Sequence, residues 1–384
     1  MFSESKAELT IFDKLRSINY FLLFLICTIF FIGTLALYSI SNGNFSEWPI
    51  KHLQRFILGL IIFFIVALLD LKIIFRFAYL IFIASIAALI ILLIVGDEIN
   101  GAKRWISFAG FSLQPSEFVK YTLILALAKY FHSMEDYHEN FISKLIIPSF
   151  IVIIPVAFVV IQPDLGTALV IFLGGVSVIW ISGLNYKYFI SGILGFILSL
   201  PILWQYLKEY QKDRVFTFFN PERDPLGNGY HITQSKIALG SGGIFGKGYM
   251  EGTQSHLNFL PEMQTDFIFT MFGEEFGFIG SIILILLYMA LIGIAIRMAL
   301  TSKSLFSKFL SLGVCSVFFI YVFVNIGMVT GLLPVVGVPL PFISYGGSSM
   351  LAVMFGFGLL TNCCLLYTSP SPRDLSTSRM PSSA

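Results

Sequence analysis

The sequence predicts an all-α polytopic membrane protein, with about ten transmembrane helices and one large extracytoplasmic loop between spans 7 and 8. Three observations carry that prediction. Charged residues are 12% of the 384-residue chain, about half the roughly 25% usual in soluble domains. Hydrophobic residues are 57%, with 41 Phe, more apolar surface than one soluble core would hide. Apolar runs of about 18 residues or more recur along the chain, long enough to cross hydrocarbon as helices that satisfy their own backbone groups.

In order, the predicted spans are 20–41, 53–69, 73–95, 116–131, 146–162, 165–183, 188–206, 267–296, 307–331 and 344–366. Residues 1–367 read as a single membrane domain, and no cleavable signal peptide precedes the first span, which then serves as an anchor. Lys6, Lys14, Arg16, Lys72, Arg76, Lys129, Lys144, Lys187, Arg297, Lys303 and Lys308 fall on one side, against Lys51, Arg55, Lys103 and Arg104 in the short loops of the other. The first side is therefore expected to be cytoplasmic, with both termini inside and the loop 207–266 outside. That loop is polar and Gly-rich, and a loop this long is usually functional. Residues 368–384, "TSPSPRDLSTSRMPSSA", lose all periodicity and read as a non-native or disordered tail.

A net charge of +2 argues against nucleic acid as a partner. Cys27, Cys315, Cys363 and Cys364 lie in apolar surroundings without a C-x-x-C pair and read as packing residues. There is no H-E-x-x-H and no G-x-S-x-G, and His52, His132, His138, His231 and His256 show no ligand spacing.

The acids of "FLPEMQTDFIFTMFGEEFGFIG", 259–280, stand at the head of a span. On a continuous helix Glu262 and Asp266 lie one turn apart, and Glu274 and Glu275 lie about 12 Å deeper. Glu274 is rotated about 80° from Asp266 and Glu275 about 180°, so the acids cannot serve one point. Asp266 at the water boundary is the catalytic candidate, against the reading of a helix-N-terminal acid favoured by the dipole. Glu274 and Glu275 read as paired or hydrogen-bonded acids.

In "GAKRWISFAGFSLQPSEFVK", 101–120, Lys103 and Arg104 flank Trp105, and Glu117 and Lys120 share a helix face. The pair either neutralises itself or joins a cationic site for a phosphate headgroup, in which Arg104 can bind two oxygens. Asp164 in "QPDLGTA" has the pattern of a helix cap. "GSGGIFGKG", 240–248, fails the Walker spacing and reads as tight turns. Pro334, Pro339 and Pro341 in "GLLPVVGVPLPFISYGGSS", 331–349, cannot continue a helix and predict an irregular outer loop covered by protein or a water-filled cavity.

Taken together and in this order, "GAKRWI", "QPSEFVK", "QPDLGTA", "NPERDPLGNGYHITQSKIALGSGGIFGKG", "FLPEMQTDFIFTMFGEEFGFIG" and "GLLPVVGVPLPFISYGGSS" resemble the SEDS family (shape, elongation, division and sporulation) over most of residues 12–362. "PVVGVPLPF" is more similar to the elongation (RodA-like) branch than to the division (FtsW-like) branch, where "PTKG" is usual; the tail departs from the family. The resemblance implies a peptidoglycan glycosyltransferase that polymerises lipid II, a disaccharide-pentapeptide on a polyprenyl diphosphate, into β-1,4-linked glycan strands during cell elongation. It implies that Asp266 is the catalytic residue and that Arg104, Glu117 and Lys120 are important; with Lys103 and Asp164 these make up the substrate-binding candidates. The chemistry fits, because transfer from a diphosphate needs one base for the acceptor hydroxyl and no protein acid for the leaving group. A divalent cation, Mg or Mn, could share the diphosphate, although no ligand set is readable. The resemblance further implies a class B penicillin-binding protein as partner, an elongation complex with MreC and MreD, and the bacterial cytoplasmic (inner) membrane as location. The rival readings are a lipid II flippase and a non-catalytic scaffold for a transpeptidase.

Overall fold

The computed structural model describes residues 10–99, 102–108, 111–134, 145–206, 212–213, 216–218, 220, 228–256, 262–302 and 304–368. The predicted tail from 369 onward and parts of the long 207–266 segment lie outside these residues.

A short α1 (Ile11–Arg16) precedes α2 (Tyr20–Ile40), α3 (Pro49–Leu68), α4 (Leu71–Val95), α5 (Pro115–Ser133), α6 (Ile147–Ile161), α7 (Leu165–Ile181) and α8 (Tyr186–Tyr206). The long segment that follows carries α9 (Asn228–Ser241) and α10 (Thr253–His256), and the chain closes with α11 (Ile268–Thr301), α12 (Leu305–Val329) and α13 (Gly347–Thr368). Apart from α1, α9 and α10, every helix overlaps one predicted span. Among the described residues, α2, α3, α4, α11, α12 and α13 are long and apolar enough to cross a bilayer, while the apolar stretches of α6, α7 and α8 are shorter. Local chemistry sets the starts. Pro49 and Pro115 open α3 and α5, where a missing N–H is harmless. Asp70 and Asp164 cap α4 and α7 by accepting from Lys72 N and Thr167 N.

Two features go beyond the sequence reading. Between α4 and α5 the chain forms a small antiparallel sheet, β1 (Asp97–Ile99), β2 (Ala102–Phe108) and β3 (Phe111–Leu113), in that spatial order. Trp105 pairs with Asp97 and Ile106 with Leu113. The second is a break in α11 at Gly277, whose φ is 66° and ψ −164°; it falls after Glu274 and Glu275, which lie on the helical stretch from Ile268, while Glu262 and Asp266 lie in the turns ahead of it rather than on a continuous helix.

The centre of the bundle is α5 and α12. Residues 119–128 of α5 are all buried, so this stretch offers lipid no face, which is where a helix can hold Glu117 and Lys120. Helix α12 packs on α5, α7, α11 and α13. At the periphery, α4 and α8 expose apolar side chains such as Ile83, Ile94, Ile193 and Leu198, as lipid-facing helices do.

The Pro-rich loop before α13 is irregular yet buried at Val338, Leu340, Phe342 and Ile343. Its backbone is satisfied from surrounding helices and from within the loop itself, as irregular chain inside a membrane protein must be. Tyr288 Oη donates to Pro341 O at 2.5 Å, His52 Nε2 lies 3.2 Å from Phe342 O, and Leu340 N donates to Ser344 Oγ at 2.7 Å.

Candidate active site

The chain entering α11 is a run of turns. Thr265 N and Asp266 N both donate to Glu262 O, at 3.1 and 3.2 Å, and Ile268 is the first helical residue. Three consecutive carbonyls of this run accept from elsewhere in the protein. Gln264 O takes Tyr345 N at 2.8 Å, Thr265 O takes Ser344 Oγ at 2.5 Å, and Asp266 O takes Asn325 Nδ2 at 3.0 Å. The Asp266 main chain is therefore fixed to the Pro-rich loop and to α12. The residue itself is half-buried, at the head of the helix. Gly337, with φ at +72°, lies beside it: a Cβ there would stand 3.2 Å from Asp266 Oδ2. Positive φ and this close approach both call for glycine.

The residues on either side of Gly337, Val336 through its O and Val338 through its Cγ2, both abut Gly166 at the start of α7. Here Asp164 accepts from Thr167 N at 3.1 Å, Thr167 Oγ1 at 2.9 Å and Gln114 Nε2 at 2.9 Å. Arg104, in β2, donates through Nε to Gln162 O at 3.1 Å and through Nη2 to Pro163 O. The α6–α7 turn held by Arg104 and the turn that carries Asp266 are thus neighbours across residues 336–338. Asp164 is a helix cap, the structural reading of its pattern. Lys103 lies opposite Glu98 in the sheet register; its side chain is outside the described residues.

Glu117 and Lys120 form an ion pair at 2.8 Å with side chains 5% and 0% exposed. Tyr321 of α12 donates its hydroxyl to Glu117 Oε2 at 2.6 Å, and Lys120 Nζ sits 4.2 Å from the Tyr321 ring centroid. The i,i+3 spacing put the two on one face and left their pairing open; the structure pairs them, and the third member comes from a helix about 200 residues away and could not be read locally. In this arrangement Lys120 is neutralised inside the protein, and the cation facing the α6–α7 turn is Arg104.

The deep glutamates hold the Gly-rich segment. Glu274 Oε1 accepts from Lys247 Nζ at 2.6 Å, Thr253 Oγ1 at 3.1 Å and Gln254 N at 3.1 Å, and Glu275 accepts from Ser39 Oγ of α2. The break at Gly277 frees backbone groups, and this segment takes them up. Lys247 N and Gly248 N donate to Glu274 O and Glu275 O at 3.1 Å, while Phe278 N and Ile279 N donate to Gly243 O and Ile244 O at 2.9 and 3.1 Å. "GSGGIFGKG" is a set of turns moulded onto a broken helix, consistent with its failed Walker spacing.

Sequence reasoning missed Gln114, Asn325, Tyr321, Ser344 and Gly337. Asn325 had a usable signal, a lone amide inside the apolar "YVFVNIGMV". Gly337 had none, since its role depends on a turn more than 70 residues earlier. Among the described residues no group of three or more His, Cys, Asp or Glu comes together as a metal-ligand set; a divalent cation on a diphosphate would draw ligands from the phosphates and water.

Comparison with known proteins places these features together. A sequence model of the FtsW, RodA and SpoVE cell cycle proteins matches residues 14–365. The chain is 38% identical over 352 residues to the peptidoglycan glycosyltransferase MrdB of Escherichia coli K12, covering 91% of this chain and 94% of that protein. Its fold is similar to a chain in a peptidoglycan synthase complex described as coordinating polymerization and crosslinking, with a TM-score of 0.80, 30% identity and coverage of 92% and 99%. It is also similar to the rod shape determining protein RodA of Thermus thermophilus, with a TM-score of 0.70, 27% identity and coverage of 92% and 98%.

Proposed function

From the premise that the chain belongs to the FtsW, RodA and SpoVE family of cell cycle proteins, we propose that Asp266 is the general base of a peptidoglycan glycosyltransferase polymerising lipid II. The activity class is that of its MrdB relative. Asp266 Oδ2 takes the proton of the acceptor sugar's 4-hydroxyl as that oxygen attacks the donor's anomeric carbon. The polyprenyl diphosphate departs from the opposite face, leaving one new β-1,4 bond and one released diphosphate.

The observation that carries this reading is the arrangement at the head of α11. The main chain of residues 264–266 is bonded at every carbonyl, while the Asp266 side chain stands half-buried beside a glycine. A base must be held in place and still be reached by substrate. In our reading Arg104 faces the diphosphate. Its two bonds to Gln162 O and Pro163 O orient a guanidinium that has five N–H donors. The Glu117–Lys120–Tyr321 cluster keeps α5 and α12 in register behind it. A class B penicillin-binding protein would be the partner transpeptidase, with MreC and MreD in the assembly. The chain would lie in the cytoplasmic membrane with both termini inside and Asp266 on the outer side.

The test is Asp266→Asn, purified with its penicillin-binding partner and given lipid II in detergent. Wild type should build polymer and the variant should lose about 10²–10⁴-fold in rate; a normal rate removes Asp266 from the mechanism. Detergent also separates the rivals, because polymer made without a bilayer needs an enzyme and not a flippase. A scaffold predicts no polymer from wild type either.

A further inference from the structure

We infer that Asn325 is a positioning residue for this reaction: its side-chain amide fixes the peptide of Asp266 against the Gly337 loop, so that the carboxylate stands where the acceptor hydroxyl arrives. The inference rests on the general-base reading of Asp266. Asn325 lies within α12, 0% exposed, among apolar neighbours. An amide in such a place is costly unless it is bonded. Both bonds made by Nδ2 go to main-chain carbonyls of other segments, Asp266 O at 3.0 Å and Val338 O at 2.6 Å. Neither carbonyl belongs to a helix.

The two carbonyls are the two sides of the candidate site. One belongs to the base itself. The other follows Gly337, the residue whose Cα side approaches Asp266 Oδ2. One planar group therefore sets the separation between the carboxylate and its wall. Of the three donors to consecutive carbonyls, Ser344 and Tyr345 come from the irregular loop, whereas Asn325 comes from a central helix and reaches the Asp266 peptide directly. Among the described residues the buried Asn325 Oδ1 has no hydrogen-bond partner, so it is the donor half of the amide that anchors the site.

A matched control exists. Asn362 in α13 is also buried, and its Nδ2 also bridges carbonyls, those of Val66, Ala67 and Leu69 at 2.9, 3.0 and 2.7 Å, at the opposite end of α3. The two asparagines share their chemistry and differ in whether Asp266 is attached.

The experiment compares Asn325→Ala and Asn362→Ala in the full chain with its transpeptidase partner, using lipid II polymerisation and thermal unfolding. Asn325→Ala should lower kcat by about 10–100-fold with KM within about twofold, while Asn362→Ala, similarly destabilised, keeps kcat. Combined with Asp266→Asn, Asn325→Ala should add no further loss, as expected for a residue acting through another. If Asn325→Ala does not fold, Asn325→Ser, whose single O–H can serve at most one of the two carbonyls, should show the same fall in kcat. Wild-type kcat in the folded Asn325 variant, an equal loss in Asn362→Ala, or additivity with Asp266→Asn overturns the inference alone. Full activity of Asp266→Asn overturns the general-base reading and this inference with it.

Discussion

Asp266 and Glu274 stand eight residues apart on one segment, and their surroundings are organised in opposite ways. At Glu274 the carboxylate is the anchor: Lys247, Thr253 and the Gln254 amide all donate to it, and a loop is folded around the acid. At Asp266 the main chain is the anchor: three successive carbonyls are taken by Tyr345, Ser344 and Asn325, and the protein is folded around the peptide. The first arrangement uses an acid as structural glue. The second holds an acid by its backbone and turns its side chain toward the Gly337 loop. Burial separates them, Glu274 being 0% exposed and Asp266 half-buried, and so does the part of each residue that accepts these hydrogen bonds.

That contrast can be broken most directly at Asp266, where Asn should abolish polymer formation by about 10²–10⁴-fold while the unfolding midpoint stays near wild type. Next comes Lys120→Met. It leaves Glu117 buried without its cation and should destabilise the protein by about 3–5 kcal/mol, read as thermal unfolding in detergent. Adding Glu117→Gln should recover much of that loss. Recovery would place Glu117 with Glu274 among the structural acids; no recovery would assign it a role outside the pair. Gly337→Ala tests the wall of the site. Its positive φ costs roughly 1–2 kcal/mol for a Cβ-bearing residue, and the methyl would crowd Asp266 Oδ2. A fall in kcat of about tenfold with KM unchanged is expected. The smallest effect belongs to Glu274→Gln, which keeps the shape and loses the charge-assisted bonds. About 1–3 kcal/mol of stability should go, with kcat of the folded fraction intact. A Glu274→Gln enzyme that is stable but inactive would erase the distinction between the two acids.

Much of this was legible in the sequence and the remainder failed for identifiable reasons. The helices were readable because apolar length is a local property, and Pro115 and Asp164 marked starts through local capping rules. That Glu117 and Lys120 share a helix face was readable because i,i+3 spacing is local too; whether they pair with each other was not. Tyr321 was not, since nothing near Glu117 announces a phenol from a distant helix. The break at Gly277 was hidden for the same reason. "EEFGFIG" looks helical until the segment around Gly246 docks on it and takes its freed backbone groups. Asp266 could be picked out by its place at the head of a span, but its peptide is held through main-chain carbonyls, which carry no side-chain signature.

The broken helix has a consequence for depth. From Phe278 to Thr301 the helix is about 36 Å long at 1.5 Å per residue, more than the roughly 30 Å of a bilayer's oily interior. The lower piece can thus cross by itself. The other piece, Ile268 to Phe276, is then not needed for the span; Asp266 precedes its first turn, and Glu274 and Glu275 bolt its far end to the Gly-rich segment and to α2. A greasy stretch can carry four acids at its entrance because enough apolar helix follows the last of them to make the crossing.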